Sequence, residues 1–220
     1  MTNALVNRSG TLLAPQLDYI LIDGSGSMMG KWFDTLAALD GFMDALRSMN
    51  IASHGIIHVF DSRNLATIER DSVIGDWTRF SVSPIKCPGG MTPLYDAINL
   101  MGRELRELNP PRASIVIITD GDENGSTYTT AVQARAILDW CRARGWQVTF
   151  LGADFNNSRQ AKLLGADESN SVGVQKHLLG ASGKLLGEKR VRNALFGGDI
   201  NFTADERRNF GGYLTGPSNG

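Results

Sequence analysis

The chain has 220 residues, of which 42% are hydrophobic and 20% are charged, and its formal net charge is -1. This length and composition are typical of one globular domain and exclude a disordered or fibrous protein. The near balance of charges gives no general attraction to nucleic acid or anionic lipid, so we expect neither as a partner. No apolar run approaches the ~20 residues of a membrane-spanning helix. Residues 1–16 lack the pattern of a secretory signal, so we expect a cytoplasmic protein, or a virion-associated one if a phage encodes it.

Strands and helices alternate along the chain. Short apolar runs predict buried strands, and apolar residues spaced three and four apart predict the helices between them. The predicted strands cover residues 17–22, 55–60, 114–119, 147–151 and 171–174, with a short edge strand over 65–69. The predicted helices cover 31–49, 92–108, 129–144, 156–164 and 175–196, and a capping-box spacing at 203–206 predicts one more. This order predicts an open, doubly wound α/β sheet, mostly parallel, with one antiparallel edge strand and helices on both faces.

The same pattern divides the chain into three parts. Residues 1–16 are a short N-terminal extension, residues 17–196 are the domain, and residues 197–220 are a C-terminal tail with one short helix. The last fifth is locally basic, and a solvated helix face is the expected reason, with docking to an acidic partner as the alternative. These basic residues are Lys184, Lys189, Arg190, Arg192, Arg207 and Arg208.

Oxygen-bearing side chains follow the ends of the predicted strands. Asp23, Ser25 and Ser27 come directly after the first strand, Thr92 stands at the start of a helix as its natural cap, and Asp120 follows the strand over 114–119. Because the carboxyl ends of parallel strands meet at one edge of a sheet, we expect these five side chains to lie close together. All five offer oxygen and none offers nitrogen or sulfur, which favours Mg²⁺ or Mn²⁺ over zinc or copper.

The charge of this set indicates what the ion would do. Three of the five side chains are neutral hydroxyls, so an ion whose aspartates act through water stays electron-poor and keeps exchangeable water ligands. Such an ion attracts one more carboxylate, and the Asp or Glu of a partner protein is the obvious source. We therefore predict a binding module that is not an enzyme and has another protein as its partner.

The motif resembles the metal-ion-dependent adhesion site (MIDAS) of von Willebrand factor type A (vWA) domains. The resemblance rests on Asp23-x-Ser25-x-Ser27, on Thr92 within residues 89–94 and on Asp120 within residues 119–121, and it covers residues 17–196. It implies a Rossmann-like fold, a bound Mg²⁺ and metal-assisted protein–protein contact, with membership of a larger assembly as one possibility. The resemblance makes the two serines and Thr92 direct ligands, and makes the aspartates ligands directly or through water. Without a secretory signal, the chain resembles the intracellular single-domain members of bacteria and phages.

Three alternatives account for parts of the pattern. Gly24-x-Gly26-x-x-x-Gly30 is similar to a dinucleotide-binding loop, although Asp23 would face the pyrophosphate. A plain Gly/Ser turn in which Asp23 caps the following helix needs no metal. A metal-dependent hydrolase of the nuclease or phosphatase type would leave the hydroxyl groups without a role. It would use a set of carboxylates at the sheet edge, namely Asp23, Asp61, Asp120, Asp122 and Asp154.

Several side chains near these motifs have structural and functional interpretations. Met28, Met29 and Trp32 suit a partner-contacting rim, although Trp32 also fits the apolar stripe of the helix that follows. His58 lies in an apolar strand, where a core histidine is expected rather than a metal ligand. The two cysteines belong to no metal-binding motif, so we expect reduced, structural thiols.

Overall fold

The structure is a computed structural model and describes residues 16–48, 51, 53–62, 65–73, 79–80, 89–153 and 158–211. The strands are β1 (Gln16–Asp23), β2 (Ser53–Phe60), β3 (Leu65–Val73), β4 (Ala113–Thr119), β5 (Gln147–Ala153) and β6 (Ser171–Val174). The helices are α1 (Trp32–Ser48), α2 (Leu94–Leu108), α3 (Ala131–Ala143), α4 (Ser158–Leu163), α5 (Leu179–Phe196) and α6 (Ala204–Asn209). Cys87, Asp154, most of the predicted extension and the end of the predicted tail lie outside the described residues.

The strands form one sheet in the order β3-β2-β1-β4-β5-β6. Strand β1 is central and pairs in parallel with β2 and β4, while β5 and β6 continue the parallel pairing. Strand β3 pairs antiparallel with β2. The chain winds outward from β1 to β3 and then returns to β4 on the other side of β1. The strand order therefore reverses between β1 and β4, where doubly wound sheets bind ligands.

Helices cover both faces of the sheet, which confirms the predicted doubly wound α/β architecture. Successive strand side chains point to opposite faces, so Ile20 and Ile22 pack toward α1 and α5. Tyr19 and Leu21 pack on the other face against α2, α3 and the end of α4. Strand β1 is buried along its whole length, as its continuous apolar run predicts. Among the described residues, no helix is both long enough and apolar enough to cross a bilayer.

The described part of the predicted C-terminal tail packs onto the sheet. Ile200 and Phe202 are buried in the same core as α1 and α5, and the Phe202 N–H donates to the Ser169 carbonyl. The predicted capping box is confirmed, since Thr203 and Glu206 exchange both bonds at the start of α6. The packed domain therefore continues beyond residue 196.

Arg190 departs from the expected solvated basic face near the C-terminus, on which Lys184, Arg192 and Arg208 are exposed. Its side chain is fully buried, and its Nε and Nη2 donate to the two oxygens of Asp18 at 2.7 and 3.1 Å. Ser53 also donates to Asp18. A buried guanidinium is tolerated only when it is paired and hydrogen-bonded. This ion pair ties α5 to the central strand.

His58 and Cys141 have structural positions. His58 is 1% exposed and its Nε2 lies 3.1 Å from Glu104 Oε2, which confirms the predicted core histidine. Cys141 is a buried free cysteine, and burial raises the pKa of its thiol to about 12. A thiol with so high a pKa forms little thiolate and is unreactive.

Helices α1 and α5 approach each other closely because α5 carries glycine at the contact points. A Cβ atom at Gly183 would lie 2.0 Å from the carbonyl oxygen of Ala38, which no real Cβ tolerates. A Cβ at Gly180, one turn earlier, would lie 3.7 Å from the Ala37 Cβ, an ordinary contact. Glycine lowers the helix propensity of α5, and at position 183 it is required by the neighbouring backbone.

We predict that Gly183→Ala destabilises the domain by about 1–3 kcal/mol, the usual cost of overpacking a close contact. Gly180→Ala is the matched control, because its new methyl group has room and alanine favours the helix by up to about 1 kcal/mol. Urea denaturation followed by circular dichroism measures both free energies of unfolding. Equal stability of the two variants would contradict the packing of α1 on α5.

Candidate functional site

Three of the five predicted ligand side chains are joined to one another by direct side-chain hydrogen bonds at the carboxyl edge of the sheet. A 3-10 turn, Gly26–Lys31, links β1 to α1 and folds over the end of β4. Ser25 Oγ lies 3.0 Å from Ser27 Oγ, and Ser27 Oγ donates to Asp120 Oδ1 at 2.7 Å. The pattern along the chain predicted that these residues meet, and the structure brings them together.

Asp23 is fully buried and connects the turn to the neighbouring strand. Its Oδ1 accepts the Ser25 N–H at 2.8 Å, and its Oδ2 accepts the Thr119 hydroxyl at 2.7 Å. Burial raises the pKa of Asp23, and the hydrogen bonds from Thr119 and Ser25 oppose that rise. The 3-10 helix has Ser25 at its N-cap with no side-chain cap bond, so the interpretation of Asp23 as a simple helix cap is wrong.

Thr92 reaches the site through a loop that pairs with the turn after β1. The Gly26 N–H donates to the Gly90 carbonyl at 3.0 Å, and the Gly89 N–H donates to the Gly24 carbonyl at 2.7 Å. Gly89 and Gly90 have φ angles of 86° and 107°, which residues with a side chain rarely adopt. This pairing places Thr92, which is 2% exposed, beside the serine-bearing turn.

The predicted capping role of Thr92 is wrong. Helix α2 begins at Leu94, with Pro93 at the N-cap position and no side-chain cap bond. The backbone of Thr92 is instead held by Asn124, whose Oδ1 accepts the Thr92 N–H at 2.8 Å. The Asn124 N–H donates to the Thr92 carbonyl at 3.1 Å. The loop after β4 therefore positions the residue that precedes α2.

Glu123 strengthens the same contact between the two loops. Its Oε2 accepts the Tyr95 N–H at 2.9 Å, and its Oε1 accepts the N–H groups of Gly125 and Ser126. Glu123 was expected as a rim, turn or capping residue, and its bonds to backbone N–H groups fit a capping role. No role was predicted for Asn124, whose only signal was its type, because short polar side chains in turns often bind backbone N–H groups.

Lys31 is a member of the site that the sequence analysis did not identify. Its ammonium nitrogen lies 2.6 Å from Asp120 Oδ2, with its side chain 19% exposed and that of Asp120 fully buried. Asp120 therefore receives a hydroxyl group on one oxygen and a compact cation on the other. The position of Lys31 at the start of a predicted helix gave no indication of its contact with Asp120.

Asp61 and Asp122, the additional carboxylates of the hydrolase alternative that the structure describes, form no metal-binding cluster with Asp23 and Asp120. Asp61 is 4% exposed after β2, whereas Asp122 is exposed to solvent. Within the described residues, no group of three or more His, Cys, Asp or Glu side chains is placed to hold a metal ion. A two-metal hydrolase depends on such a group.

The predicted contact rim needs one correction. Met28 is 0% exposed and Trp32 is 4% exposed, and both belong to the core on the α1 side. The assignment of Met28 to a rim is therefore wrong, and the alternative core position of Trp32 is confirmed. Met29 is 66% exposed beside the site.

Comparison with known proteins identifies the fold. No protein-family model and no curated protein sequence matches the chain. The pilus adhesin SpaC from Lactobacillus rhamnosus GG matches with a TM-score of 0.65 at 13% identity, over 81% of this chain and 30% of SpaC. The vWF domain of the type V pili tip protein Mfa5 from Porphyromonas gingivalis matches with a TM-score of 0.63 at 10% identity, over 89% of this chain and 100% of that domain. A von Willebrand factor type A protein from Catenulispora acidiphila matches with a TM-score of 0.59 at 14% identity, over 80% of this chain and 42% of its own.

These similarities show that the chain has the vWA fold. Identity between 10% and 14% shows a shared fold and does not transfer a ligand or an activity. The chain spans only 30% of the length of SpaC. The activity of the whole adhesin therefore does not transfer to this chain.

We predict that Asn124→Ala loosens the loop before α2, because the Thr92 N–H loses its acceptor. Loss of one such hydrogen bond is worth about 1 kcal/mol, so amide hydrogen exchange at Thr92 should accelerate by about fivefold. NMR-detected exchange measures this rate. Asp122→Ala is the control, since Asp122 is exposed in the same loop. Equal exchange rates at Thr92 in the two variants would show that Asn124 does not hold the loop.

Proposed function

We propose that this protein is a metal-dependent protein-binding module. In this proposal Asp23, Ser25, Ser27, Thr92 and Asp120 hold a Mg²⁺ or Mn²⁺ ion, and the ion takes an Asp or Glu carboxylate from a partner protein. The observation that carries the proposal is the continuous hydrogen-bonded run from Ser25 through Ser27 to Asp120. It lies where the strand order reverses, the position at which open α/β sheets bind ligands.

The donor set fits a hard cation. Two hydroxyl oxygens lie 3.0 Å apart and one of them contacts a buried carboxylate, and hydroxyl and carboxylate oxygens are ligands that Mg²⁺ accepts. Asp120 already attracts the Lys31 ammonium at 2.6 Å, so the site favours positive charge. The dinucleotide alternative fits less well, because these acidic groups would repel a pyrophosphate.

The residues around the proposed ion each hold a different part of the site in place. Asp23 orients the serine-bearing turn through Ser25 and fixes it to β4 through Thr119. Asp120 accepts a hydrogen bond from Ser27. Backbone bonds of Gly89 and Gly90 with Gly24 and Gly26 hold the loop that leads to Thr92 against the serine-bearing turn. The ion, when bound, supplies a Lewis-acidic centre for a carboxylate. Exclusion of water at the contact strengthens that attraction.

The structural comparisons support binding as the function. SpaC is a pilus adhesin and Mfa5 is a pili tip protein, and both names describe parts of extended protein assemblies. We infer for this chain a non-enzymatic role in contact with another protein, within a larger assembly.

We predict that Ser25→Ala weakens Mg²⁺ and Mn²⁺ binding at least about tenfold, or about 1.4 kcal/mol, because it removes one direct ligand. Isothermal titration calorimetry with the full chain measures affinity and the number of ions. Asp122→Ala is the matched control, since it removes an exposed carboxylate two residues from Asp120. Circular dichroism checks that both variants are folded.

Two results would oppose the proposal. Unchanged metal affinity in Ser25→Ala would remove the serine from the ligand set. Two bound ions per chain, together with metal-dependent hydrolysis of a phosphodiester or phosphomonoester, would favour the hydrolase alternative. One ion and no hydrolysis is the expected result.

We predict that Lys31→Met tightens Mg²⁺ binding by about tenfold, because the ammonium and the ion compete for Asp120. Methionine keeps the length of the side chain without its charge. Lys176→Met is the control, because Lys176 lies 3.9 Å from Asp34 and its removal changes the net charge equally. The same calorimetric titration measures both. Weaker binding in Lys31→Met would show that Lys31 supports the ion instead of competing with it.

A further inference from the structure

Four large apolar side chains are exposed on the segments that carry the proposed metal ligands. They are Met29 at 66%, Phe33 at 72%, Met91 at 52% and Tyr128 at 86% exposure, and we call them the apolar rim. Single exposed apolar residues are ordinary, whereas several large ones around a polar centre mark an interaction surface. Methionine and aromatic residues are also the types enriched at protein interfaces.

The rim lies on the segments next to the proposed site, since Phe33 follows Lys31 by two residues in the first turn of α1 and Tyr128 lies in the loop after Asp120. Met29 lies in the 3-10 turn that contains Ser27, and Met91 directly precedes Thr92. A Cβ atom at Gly125 would lie 3.1 Å from the Met91 Cβ, so the loop after Asp120 contacts the loop before α2. The three segments therefore form one continuous edge.

The backbone of the rim is held in place before any partner binds. The Met91 N–H donates to Ser62 Oγ at 3.1 Å. The N–H groups of Thr127 and Tyr128 donate to the Asp96 carboxylate at 2.8 and 3.2 Å. Ordered loops lose little conformational entropy when they bind. The exposed side chains thus project from a rigid support.

The charges at the centre of the rim specify how acidic a partner can be. Asp23 and Asp120 together balance a divalent ion, and Lys31 adds one positive charge. One partner carboxylate neutralises that excess. The exposed Asp122, two residues beyond Asp120, would repel further acidic groups. The arrangement therefore favours one carboxylate over an acidic cluster or a polyanion.

We infer that the partner presents a single Asp or Glu side chain flanked by bulky apolar residues, and that the apolar rim buries those residues. The occupant is thus a protein segment in which leucine, phenylalanine or tryptophan stands beside one acidic residue. This inference rests on the proposed function and adds the chemistry of the partner to it.

Selection of random peptides displayed on phage tests the inference directly. The full chain is immobilised in Mg²⁺ buffer, and bound phage are eluted with EDTA. The expected result is enrichment of sequences with one acidic residue next to large apolar residues. Enrichment of polyacidic sequences, or of acidic residues without apolar neighbours, would overturn the inference.

Variants of the rim then test the contact. The most enriched peptide is synthesised, and fluorescence anisotropy measures its Kd for the wild type, Phe33→Ser and Tyr128→Ser. Each variant should bind about tenfold more weakly, as expected for exposed aromatic residues that become buried on binding. Leu108→Ser is the matched control, because Leu108 is an exposed apolar residue at the opposite end of α2. Equal Kd values in all four proteins would overturn the inference.

Calorimetry with Mg²⁺ alone separates this inference from the proposed function. The rim variants should bind the ion as the wild type does, because they remove no proposed ligand. If the wild type binds Mg²⁺ and its peptide affinity does not depend on the rim, the inference fails and the metal site stands. If the wild type binds no Mg²⁺, the proposed function itself fails.

Two further outcomes would assign the rim to another occupant and overturn the inference. A Mg²⁺-dependent dimer in analytical ultracentrifugation that Phe33→Ser abolishes would make a second copy of the chain the occupant. Binding to phosphatidylcholine vesicles that Phe33→Ser abolishes would make a lipid surface the occupant. A monomer that leaves such vesicles unbound is the expected result.

Discussion

The arrangement of the site depends on the two hydrogen bonds that the Asp23 carboxylate accepts. One of its oxygens accepts from the turn that follows β1 and the other accepts from Thr119, at the end of the neighbouring strand β4. Because the strand order reverses between these two strands, the loops that follow them lead away to opposite sides of the molecule. A buried acceptor shared by both holds their first residues together. The contacts of Ser27 with Asp120, and of Gly26 with Gly90, follow from that alignment.

The positions of the site depend equally on how helix α1 is placed. The 3-10 turn runs directly into α1, so the height of α1 over the sheet sets where Ser27 and Lys31 lie. That height is set by the close approach of α5 at Gly183 and by the buried pair of Asp18 with Arg190. Packing on one face of the sheet thus fixes the positions of polar groups at the edge of the sheet.

Local patterns in the sequence predicted the framework and the hydroxyl and carboxylate set. Continuous apolar runs identify β1 and β4, and the residues directly after them must lie at the carboxyl edge of a parallel sheet. Contacts between residues far apart in the chain were not predictable in this way. Lys31 reaches Asp120 across 89 residues, and Arg190 reaches Asp18 across 172. Arg190 looked like a member of a solvated face because its neighbours in α5 are basic, and only the tertiary structure supplies its counter-charge. The pairing of Thr92 with Asn124 likewise joins two loops that no periodicity relates.

The contact between Lys31 and Asp120 bears on the order of folding and ion binding. Acidic side chains that face one another without an ion repel, and many small metal-binding domains fold only when the ion binds. Here the Lys31 ammonium lies against Asp120, so this carboxylate has a counter-charge before any ion binds. On the proposed function, the ion is a late addition to a domain that is already folded, and it changes what the surface recognises. On that same proposal, availability of the metal in the surroundings is a signal that the folded protein reads.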